Sequence, residues 1–546
     1  MSTRTAPALG SKLTSFVAQV LAQTGWRGRG VDFALGAVSV LSLAPFHMWV
    51  FMLLALAALS YRIGLIPALS DTPKRRAFGR GFWFGLGYFL CGTYWIGSAF
   101  IARGPEFYAI MPPMILGLAV LLSLFWGAAA LLLYKLSPPS GARPMVFAAC
   151  FTLFEFLRGH ILTGFPWNLP GYIFEAGGAV SQSASVIGIY GLTFIVFLLG
   201  GLIARLRRGA LYAGLILAVL FASGFMRLSS ASLQTVPDVR LRIVQVPFSQ
   251  ADQFDPVKST DIVNRYLTNS IAPGLDNVTH VIWPEGAVSG LAIENEPLVY
   301  AMGAALLSQT QTPPIWLLNS LRQETRPHPS LDGQIIKDYF NSSVAITFTN
   351  EGVPAVAAFN DKSKLVPFGE FVPFGKWLES QNFGPLSTAV TSMTPAPGKD
   401  LSTFPGVPRL SPQICYEIIF SGLTPRPQNN DAQWILNQSN DAWYGRSIGP
   451  YQHANQARYR AIEEGLPIIR AAANGLSGQI DPYGRWGLTQ PKIDDSGVID
   501  VNLYQALTKT AFRPVFSLLI LLICAAICLF YARGASSRLR RDTFYN

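Results

Sequence analysis

Eight long runs of apolar residues limit what this chain can fold into. They lie at 31–47, 49–67, 82–101, 110–134, 144–158, 184–204, 209–226 and 512–532. A helix needs roughly 20 mostly apolar residues to cross a hydrocarbon core of about 30 Å. Charged residues make up only 13% of the chain, whereas soluble domains usually carry about 25%. The sequence therefore predicts a multi-domain membrane protein with a bundle of eight transmembrane helices.

Basic residues flank these runs in a one-sided pattern. They stand before the first run, after the second, between the fourth and fifth, between the sixth and seventh, and after the last: Arg4, Lys12, Arg27, Arg29, Lys74, Arg75, Arg76, Arg80, Lys135, Arg143, Arg205, Arg207, Arg208, Arg533, Arg538, Arg540 and Arg541. If the helices alternate in direction, all of these residues share one face, which the positive-inside rule makes cytoplasmic. The net charge of +11 is then a topology signal, and no nucleic-acid partner is expected.

This topology divides the chain into five parts. We expect a cytoplasmic tail over 1–30, a bundle of seven transmembrane helices over 31–228, an extracytoplasmic domain over 229–511, the eighth helix at 512–532 and a cytoplasmic tail over 533–546. The long outer domain would be tethered to the membrane at both of its ends.

The outer segment has the pattern of an α/β domain. Short runs typical of strands lie at 241–247, 280–286, 314–320, 343–349, 408–418, 434–440 and 467–475, with helical stretches at 256–270, 295–309 and 450–464. Strands that alternate with helices predict an α/β fold. The segment has no GxGxxG after a strand, no Walker motif and no GxSxG, and the five histidines of the chain lack metal-ligand spacing. Neither a metal site nor a Ser-His-Asp triad is therefore predicted.

Three residues of the outer segment stand at or just after the predicted strands. Glu285 follows VIWP, Lys362 lies in FNDKSKL, and Cys415 ends SPQIC. Each has an ordinary structural explanation: a turn carboxylate, a solvated lysine for which Lys364 is an equal candidate, and a small buried cysteine. Cys415 is, however, the only one of the five cysteines that lies outside the apolar runs.

Together these residue types can support acyl transfer. A cysteine thiol is mostly protonated at neutral pH, so a nucleophilic cysteine needs a base or a cation nearby. A carboxylate in an apolar site can act as the base. A lysine ammonium can stabilise the thiolate and the oxyanion of a tetrahedral intermediate.

Several motifs resemble one known superfamily. WPE at 283–285, KSKL at 362–365 and the strand-end cysteine resemble the Glu-Lys-Cys triad of the carbon–nitrogen hydrolase (nitrilase) superfamily. The resemblance narrows to the bacterial apolipoprotein N-acyltransferase family through NQSNDAWYG at 437–445, LVPFGEFVPFG at 365–375, ICYE at 414–417, TGFPWN at 163–168 and LAPF at 43–46. It covers nearly the full length of the chain.

The resemblance implies a fold and a reaction. The fold is an α-β-β-α sandwich with the triad at its mouth, in which Cys415 is the nucleophile, Glu285 the general base and Lys362 the cation that stabilises the oxyanion. The reaction moves an acyl chain from a phospholipid to the α-amino group of the diacylglyceryl cysteine of an apolipoprotein, through a thioester on Cys415. No metal or cofactor is implied. The protein would lie in the bacterial inner membrane, with its catalytic domain in the periplasm and both termini in the cytoplasm.

The resemblance also gives supporting roles to three residues near the triad. Glu370 would hold Lys362 or steer the acceptor amine. Tyr416 and Glu417 would order the pocket around the nucleophile.

Aromatic residues are the candidate substrate contacts: Phe254, Trp443, Phe371, Trp377 and Trp167. Phe254 stands where the family often has a tryptophan. Phe371 and Trp377 belong to a loop that is either a lipid-facing lid or part of the core. Trp167 would either line the entry of the acyl chain or anchor its loop at the membrane interface.

Two other functions remain open at this point. A membrane-anchored amidase or nitrilase-like hydrolase would use the same triad and pass the acyl group to water. A transporter with a regulatory domain would need charged residues along an intramembrane pathway, for which Glu155 and Arg158 are the main candidates.

Overall fold

The computed structural model describes residues 9–66, 71–327, 335–373, 392–425, 431–487, 492–508 and 512–544. The described helices are α1 Leu9–Leu21, α2 Gly25–Ser39, α3 Val50–Gly64, α4 Pro73–Thr93, α5 Gly97–Arg103, α6 Met111–Leu136, α7 Arg143–His160, α8 Ala184–Ile203, α9 Leu206–Ser229, α10 Gln250–Phe254, α11 Pro256–Ser270, α12 Glu296–Leu307, α13 Gly449–Glu464 and α14 Val515–Phe544. The described strands are β1 Thr235–Gln245, β2 His280–Ile282, β3 Ile315–Pro327, β4 Ile335–Phe348, β5 Pro354–Asp361, β6 Leu410–Ile414, β7 Trp434–Asn440, β8 Ile468–Ala473, β9 Gly478–Ile480 and β10 Gly497–Tyr504.

Five helical segments among the described residues are long and apolar enough to cross a membrane. They are Pro73–Arg103, Met111–Leu136, Val180–Ile203, Leu206–Ser229 and Val515–Arg533. These segments overlap the predicted spans at 82–101, 110–134, 184–204, 209–226 and 512–532. The prediction of eight full-length spans is therefore confirmed for five of them.

The other three predicted spans are helical but do not meet those criteria, for identifiable reasons. The first run is not one helix, because α2 passes into a short 3₁₀ turn at Val40–Ser42 and Pro45 disfavours helical backbone at the residue before it. Helix α3 has 15 residues, which gives a length of about 22 Å, short of a core of about 30 Å. Helix α7 carries Arg143, Glu155 and Arg158 within its 18 residues.

Glycines let α4 lie close against its two neighbouring helices. A Cβ atom on Gly36 of α2 would collide with the carbonyl oxygen of Phe84, and one on Gly81 would collide with that of Trp126 in α6. Phe84 also stacks on Trp126, with ring centroids 5.4 Å apart. Small residues at such contacts are how membrane helices approach each other closely.

The charged pair of α7 is buried and bound to the loop that follows it. Arg158 Nε donates to Glu155 Oε1 at 3.0 Å, and Trp126 Nε1 donates to the same oxygen at 2.6 Å. Arg158 also donates to the carbonyl oxygens of Phe165 and Trp167. These two residues therefore fix a loop, and they do not offer the intramembrane pathway that a transporter would need.

The α/β region contains two sheets. One has the strand order β10-β1-β2-β3-β4-β5 and the other has the order β6-β7-β8-β9. Strands β1, β2 and β3 run parallel, as do β6, β7 and β8, and the remaining neighbours are antiparallel. Parallel strands joined by helices place several strand ends at one edge of a sheet, which is where ligands usually bind in such folds.

The two sheets pack face to face and carry helices on their outer faces. Leu241 and Ile243 of one sheet share a buried cluster with Leu436 and Ile469 of the other. Helices α11 and α12 cover the six-stranded sheet, and α13 covers the four-stranded sheet. The result is the α-β-β-α order that the resemblance implied.

Helix α13 also joins the α/β region to the membrane helices. The Tyr459 hydroxyl donates to the carbonyl oxygen of Phe174 at 2.7 Å. The Glu463 carboxylate accepts the backbone N–H of Ile189 at 2.7 Å, directly after Gly188, where α8 breaks with φ of +64°. A side-chain oxygen at a helix start is favourable because it accepts from a backbone N–H that has no partner within the helix. These contacts set the α/β region against the end of the bundle.

Candidate active site

The structure brings the three candidate catalytic residues together at strand ends. Glu285 lies just beyond β2, Lys362 directly follows β5, and Cys415 directly follows β6. Lys362 Nζ is 3.8 Å from Glu285 Oε1. The Cys415 thiol is close enough to both for their charges to act on its pKa.

Lys362 is the buried lysine of its segment. It is 1% exposed, whereas Lys364 lies at the surface. Its ammonium donates to Glu370 Oε1 at 2.7 Å, and Glu370 Oε2 in turn accepts the backbone N–H of Val366 at 2.8 Å. Burial alone would lower the pKa of Lys362, but the carboxylates of Glu370 and Glu285 raise that pKa above its ordinary value. The lysine is therefore a fixed cation at neutral pH, and Glu370 holds it.

Two asparagines that sequence analysis did not single out hold the Glu285 carboxylate. Asn341 Nδ2 donates to Glu285 Oε1 at 2.8 Å and to Glu370 Oε1 at 3.0 Å. The backbone N–H of Asn440 donates to Glu285 Oε2 at 2.9 Å. Asn319 orients Asn341 through a 2.6 Å hydrogen bond to its Oδ1. The only signal for Asn341 in the sequence is a polar residue just before the apolar run of its strand.

Cys415 directly follows β6 and is the first residue of a short 3₁₀ helix, Cys415–Ile419. The backbone is strained at this position. Its φ angle is +48°, in the left-handed region that non-glycine residues rarely adopt. The side chain is 8% exposed. Burial raises the pKa of the thiol and the Glu285 carboxylate raises it further, while Lys362 lowers it without cancelling the rise. The thiol is therefore protonated at neutral pH and needs a base to become a nucleophile.

Glu417 holds the turn at Cys415 through hydrogen bonds and is not the candidate for the base that the thiol needs. Its Oε2 accepts a hydrogen bond from the backbone N–H of Ile414 at 2.9 Å. The same oxygen forms an ion pair with the Lys399 ammonium at 2.7 Å. Its Oε1 accepts the backbone N–H of Ser363 at 2.8 Å. Burial would raise the pKa of Glu417, but Lys399 and these hydrogen bonds bring it below its ordinary value. The carboxylate is thus a permanent anion that ties the Cys415 turn to the Lys362 segment.

Replacing Lys399 with Met should lower the stability of the enzyme at neutral pH and make that stability less dependent on pH. A carboxylate whose pKa is depressed by folding stabilises the protein above its unfolded pKa, and this stability is lost as the pH falls through its folded pKa. Because Lys399 is the strongest group that lowers the pKa of Glu417, its loss raises that pKa. We expect the melting temperature of Lys399→Met to lie below that of the unchanged protein at about pH 7, and the difference to shrink as the pH falls below about 5, measured in detergent from about pH 8 to about pH 3.

Lys258→Met is the matched control for this experiment. It removes the exposed ion pair between Lys258 and Asp252, and exposed pairs contribute little to stability. Its acid profile should coincide with that of the unchanged protein. If the Lys399→Met profile coincides as well, Lys399 does not set the charge of Glu417.

Tyr416 and Trp167 connect the site to the membrane helices. The Tyr416 hydroxyl donates to the carbonyl oxygen of Gly164 at 2.8 Å. Trp167 is 1% exposed, packs on Trp95 with ring centroids 4.7 Å apart, and donates its indole N–H to Gln452 at 2.8 Å. The indole of Trp167 is thus buried between the bundle and the α/β region.

Two of the remaining aromatic candidates contact each other. Phe254 is 57% exposed, and its ring lies 6.0 Å from that of Trp443. Phe371 is half-buried next to Glu370. Trp377 lies outside the residues that the structure describes.

One histidine lies beside the candidate nucleophile, although the sequence predicted none there. His453 Nε2 is 3.2 Å from the carbonyl oxygen of Cys415, and its Nδ1 is 2.9 Å from Asp441 Oδ1. It contacts the backbone of Cys415, so it does not replace Glu285 as the candidate base. Its position 38 residues along the chain from Cys415, on α13, gives no spacing that could have revealed it.

The chain is similar to several known proteins over most of its length. The apolipoprotein N-acyltransferase N-terminal domain matches residues 35–202, and the carbon-nitrogen hydrolase family matches residues 264–493. The apolipoprotein N-acyltransferase of Rhodopseudomonas palustris is 34% identical over 519 residues, which cover 92% of this chain and 94% of that protein. The apolipoprotein N-acyltransferase of Caulobacter vibrioides is 36% identical over 498 residues, covering 88% and 89%. A solved amidase of the nitrilase superfamily, from Nesterenkonia, covers 50% of this chain and 93% of its own, with 14% identity and a TM-score of 0.34.

Proposed function

Since this chain belongs to the apolipoprotein N-acyltransferase family, we propose that it transfers a phospholipid acyl chain to the α-amino group of a diacylglyceryl cysteine through a thioester on Cys415. The chain is a membrane N-acyltransferase of lipoprotein biosynthesis with a nitrilase-like fold. This family membership implies a lipid as the acyl donor and an apolipoprotein as the acceptor.

One observation carries the proposed mechanism: a buried thiol lies within electrostatic range of both a carboxylate and a fixed ammonium. Glu285 takes the proton of Cys415, and the thiolate attacks the ester carbonyl of the phospholipid. The Lys362 ammonium stabilises the oxyanion that forms. When the ester C–O bond breaks, Glu285 returns the proton to the leaving alkoxide, and a lysophospholipid departs.

The second half-reaction uses the same groups in the opposite direction. The α-amine of the acceptor attacks the thioester carbonyl, and Glu285 removes one amine proton. The C–S bond breaks, the amide is complete, and the proton passes from Glu285 to the Cys415 thiolate. A thioester suits this role because it remains reactive enough to acylate an amine.

Glu370 supports this mechanism as the partner of the ammonium. Its short contact with Lys362 leaves the ammonium with a fixed direction, and Asn341 links the same carboxylate to Glu285. Fixed dipoles and charges that need no reorganisation are the most effective stabilisers of a developing oxyanion. Phe254, Trp443 and Phe371 are the proposed contacts for the lipid substrates.

The topology proposal follows from the basic residues and from one contact. We infer eight alternating helices, with the tails 1–30 and 533–546 in the cytoplasm and the segment 229–511 in the periplasm of a bacterial inner membrane. The contact between Tyr416 and Gly164 supports this, because it puts the loop after α7 on the same face as the catalytic residues. That loop is the one that the charge pattern assigns to the outside.

The decisive experiment follows the acyl group. The purified protein is incubated in micelles of a phospholipid with a labelled acyl chain, and the peptide that contains Cys415 is analysed by mass spectrometry. We expect a labelled adduct on Cys415, which moves to the α-amine of a diacylated lipopeptide when the lipopeptide is added. Release of the label only as free fatty acid would favour the hydrolase alternative, and absence of the adduct would contradict the proposal.

A further inference from the structure

The backbone of the nucleophile needs support that its own residue type does not provide. Cys415 has φ of +48°, and a non-glycine residue persists in this region only when its surroundings hold it there. The chain before Cys415 is held at Ile414, whose backbone N–H donates to Glu417 Oε2 at 2.9 Å. The peptide group after it is held through the Cys415 carbonyl oxygen, which lies 3.2 Å from His453 Nε2.

The direction of this second hydrogen bond fixes part of the histidine's protonation. A carbonyl oxygen only accepts hydrogen bonds, so the Nε2 atom of His453 must carry a hydrogen and donate it. The other ring nitrogen, Nδ1, faces Asp441 Oδ1 at 2.9 Å and an Arg470 guanidinium nitrogen at 3.3 Å. Both nitrogens of the His453 imidazole therefore have polar partners that fix the orientation of the ring.

The anchor behind His453 is rigid and fully buried. Asp441 Oδ2 forms an ion pair with Arg470 at 2.6 Å, and its Oδ1 accepts the Ser439 hydroxyl at 2.7 Å. The side chains of His453, Asp441 and Arg470 are 0% exposed. They come from α13, from the turn after β7 and from β8, so three elements meet at the imidazole that contacts the Cys415 carbonyl oxygen.

We propose that His453 is a positioning residue for the nucleophile, which locks the Cys415 peptide so that the thiol faces Glu285 and Lys362. This inference rests on the proposed function, because it assumes that Cys415 is the nucleophile. His453 does not touch the reacting sulfur, so its contribution is the fixed direction of the Cα–Cβ bond of Cys415. Without the hydrogen bond from His453 to the Cys415 carbonyl oxygen, the strained turn can relax and move the thiol away from Glu285 and Lys362. A displacement of about 1 Å is enough to cost on the order of 10²-fold in rate.

Three substitutions of His453 separate the hydrogen bond from packing. His453→Gln keeps an amide N–H at the reach of Nε2, His453→Asn keeps one only at the reach of Nδ1, and His453→Phe keeps the ring without a donor. Single-turnover formation of the Cys415 thioester is measured over a range of phospholipid concentrations. We expect Phe and Asn to slow the reaction by roughly 10- to 100-fold, with the half-saturating phospholipid concentration changed by less than about twofold. Gln should recover most of the lost rate.

His280→Phe is the matched control. His280 is also a buried histidine, and its Nε2 bonds the carbonyl oxygen of Pro405 at 2.9 Å. It lies at the start of β2, the end of that strand that is far from Glu285. The substitution should lower the melting temperature without slowing thioester formation.

Each alternative outcome is decisive. Equal rates for the Gln and Asn variants, or a wild-type rate for His453→Phe, would overturn the positioning role. An equal slowing by His280→Phe would show that general loss of stability explains the effect. If His453→Phe does not fold, the contrast between Gln and Asn still decides the question. If the unchanged protein forms no thioester on Cys415, the proposed function fails and not this inference alone.

Discussion

Cys415→Ala should eliminate both the acyl-enzyme and the N-acylated product. The alanine has no atom that can form the thioester, and among the described residues the other cysteines lie in the membrane helices α4, α7 and α14. Removal of the nucleophile from a catalytic triad costs on the order of 10⁶-fold in rate. We therefore expect activity below detection, with the phospholipid left intact.

The measurement is the labelled-phospholipid assay, read by mass spectrometry at the peptide that contains residue 415 and at the lipopeptide amine. Cys524→Ala is the matched control, because it removes a buried free cysteine from α14 and should leave the rate unchanged. The thermal stability of Cys415→Ala should equal or exceed that of the unchanged protein, since the strained turn loses only one sulfur atom. A labelled thioester that still forms on the Cys415→Ala variant would remove Cys415 from the mechanism.

The strand ends were predictable from the sequence because the pattern there is local. Glu285 and Cys415 each follow an apolar run directly, so each could be placed at the end of a strand without knowledge of the other, whereas no strand was predicted directly before Lys362. The structure adds what such patterns omit, namely that two separate sheets bring these ends to one point. Strand β7, at Trp434–Asn440, has the bounds that its sequence predicted.

The partners of the triad were not predictable for the same reason. Asn341 reaches Glu285 from β4, and His453 reaches Cys415 from α13, across sequence separations of 56 and 38 residues. No local pattern marks a buried amide or imidazole as the partner of a residue in another element. Strands β5 and β10 were also missed, and their residues are mostly exposed or half-buried.

Adjacency in sequence was misleading at one position. Glu417 stands two residues after the nucleophile and would be the natural first guess for its base. Both of its oxygens are occupied, by the N–H groups of Ile414 and Ser363 and by Lys399, and they lie beneath the turn. Glu285, which is 130 residues away in the chain, has its charge acting directly on the thiol.

Glu285→Gln should block the first half-reaction while leaving the site assembled. Glutamine has nearly the shape of glutamate but cannot take a proton from the thiol. Burial keeps the pKa of Cys415 above its ordinary value, so without a base almost all of the thiol stays protonated at neutral pH. Loss of a general base typically costs 10²- to 10⁴-fold, and we expect a fall of about this size in the rate of thioester formation.

The pH dependence of this variant gives the sharper test. Below the pKa of a thiol, each pH unit raises the thiolate fraction about tenfold, so thioester formation by Glu285→Gln should rise steeply between about pH 7 and about pH 9. The unchanged enzyme should vary much less there, because Glu285 already removes the proton. Glu351→Gln, at an exposed turn, is the matched control and should follow the unchanged enzyme at every pH. Normal build-up of the thioester by Glu285→Gln at neutral pH would show that another group is the base, and a low rate that does not rise with pH would show that Glu285 acts in some way other than by taking the proton.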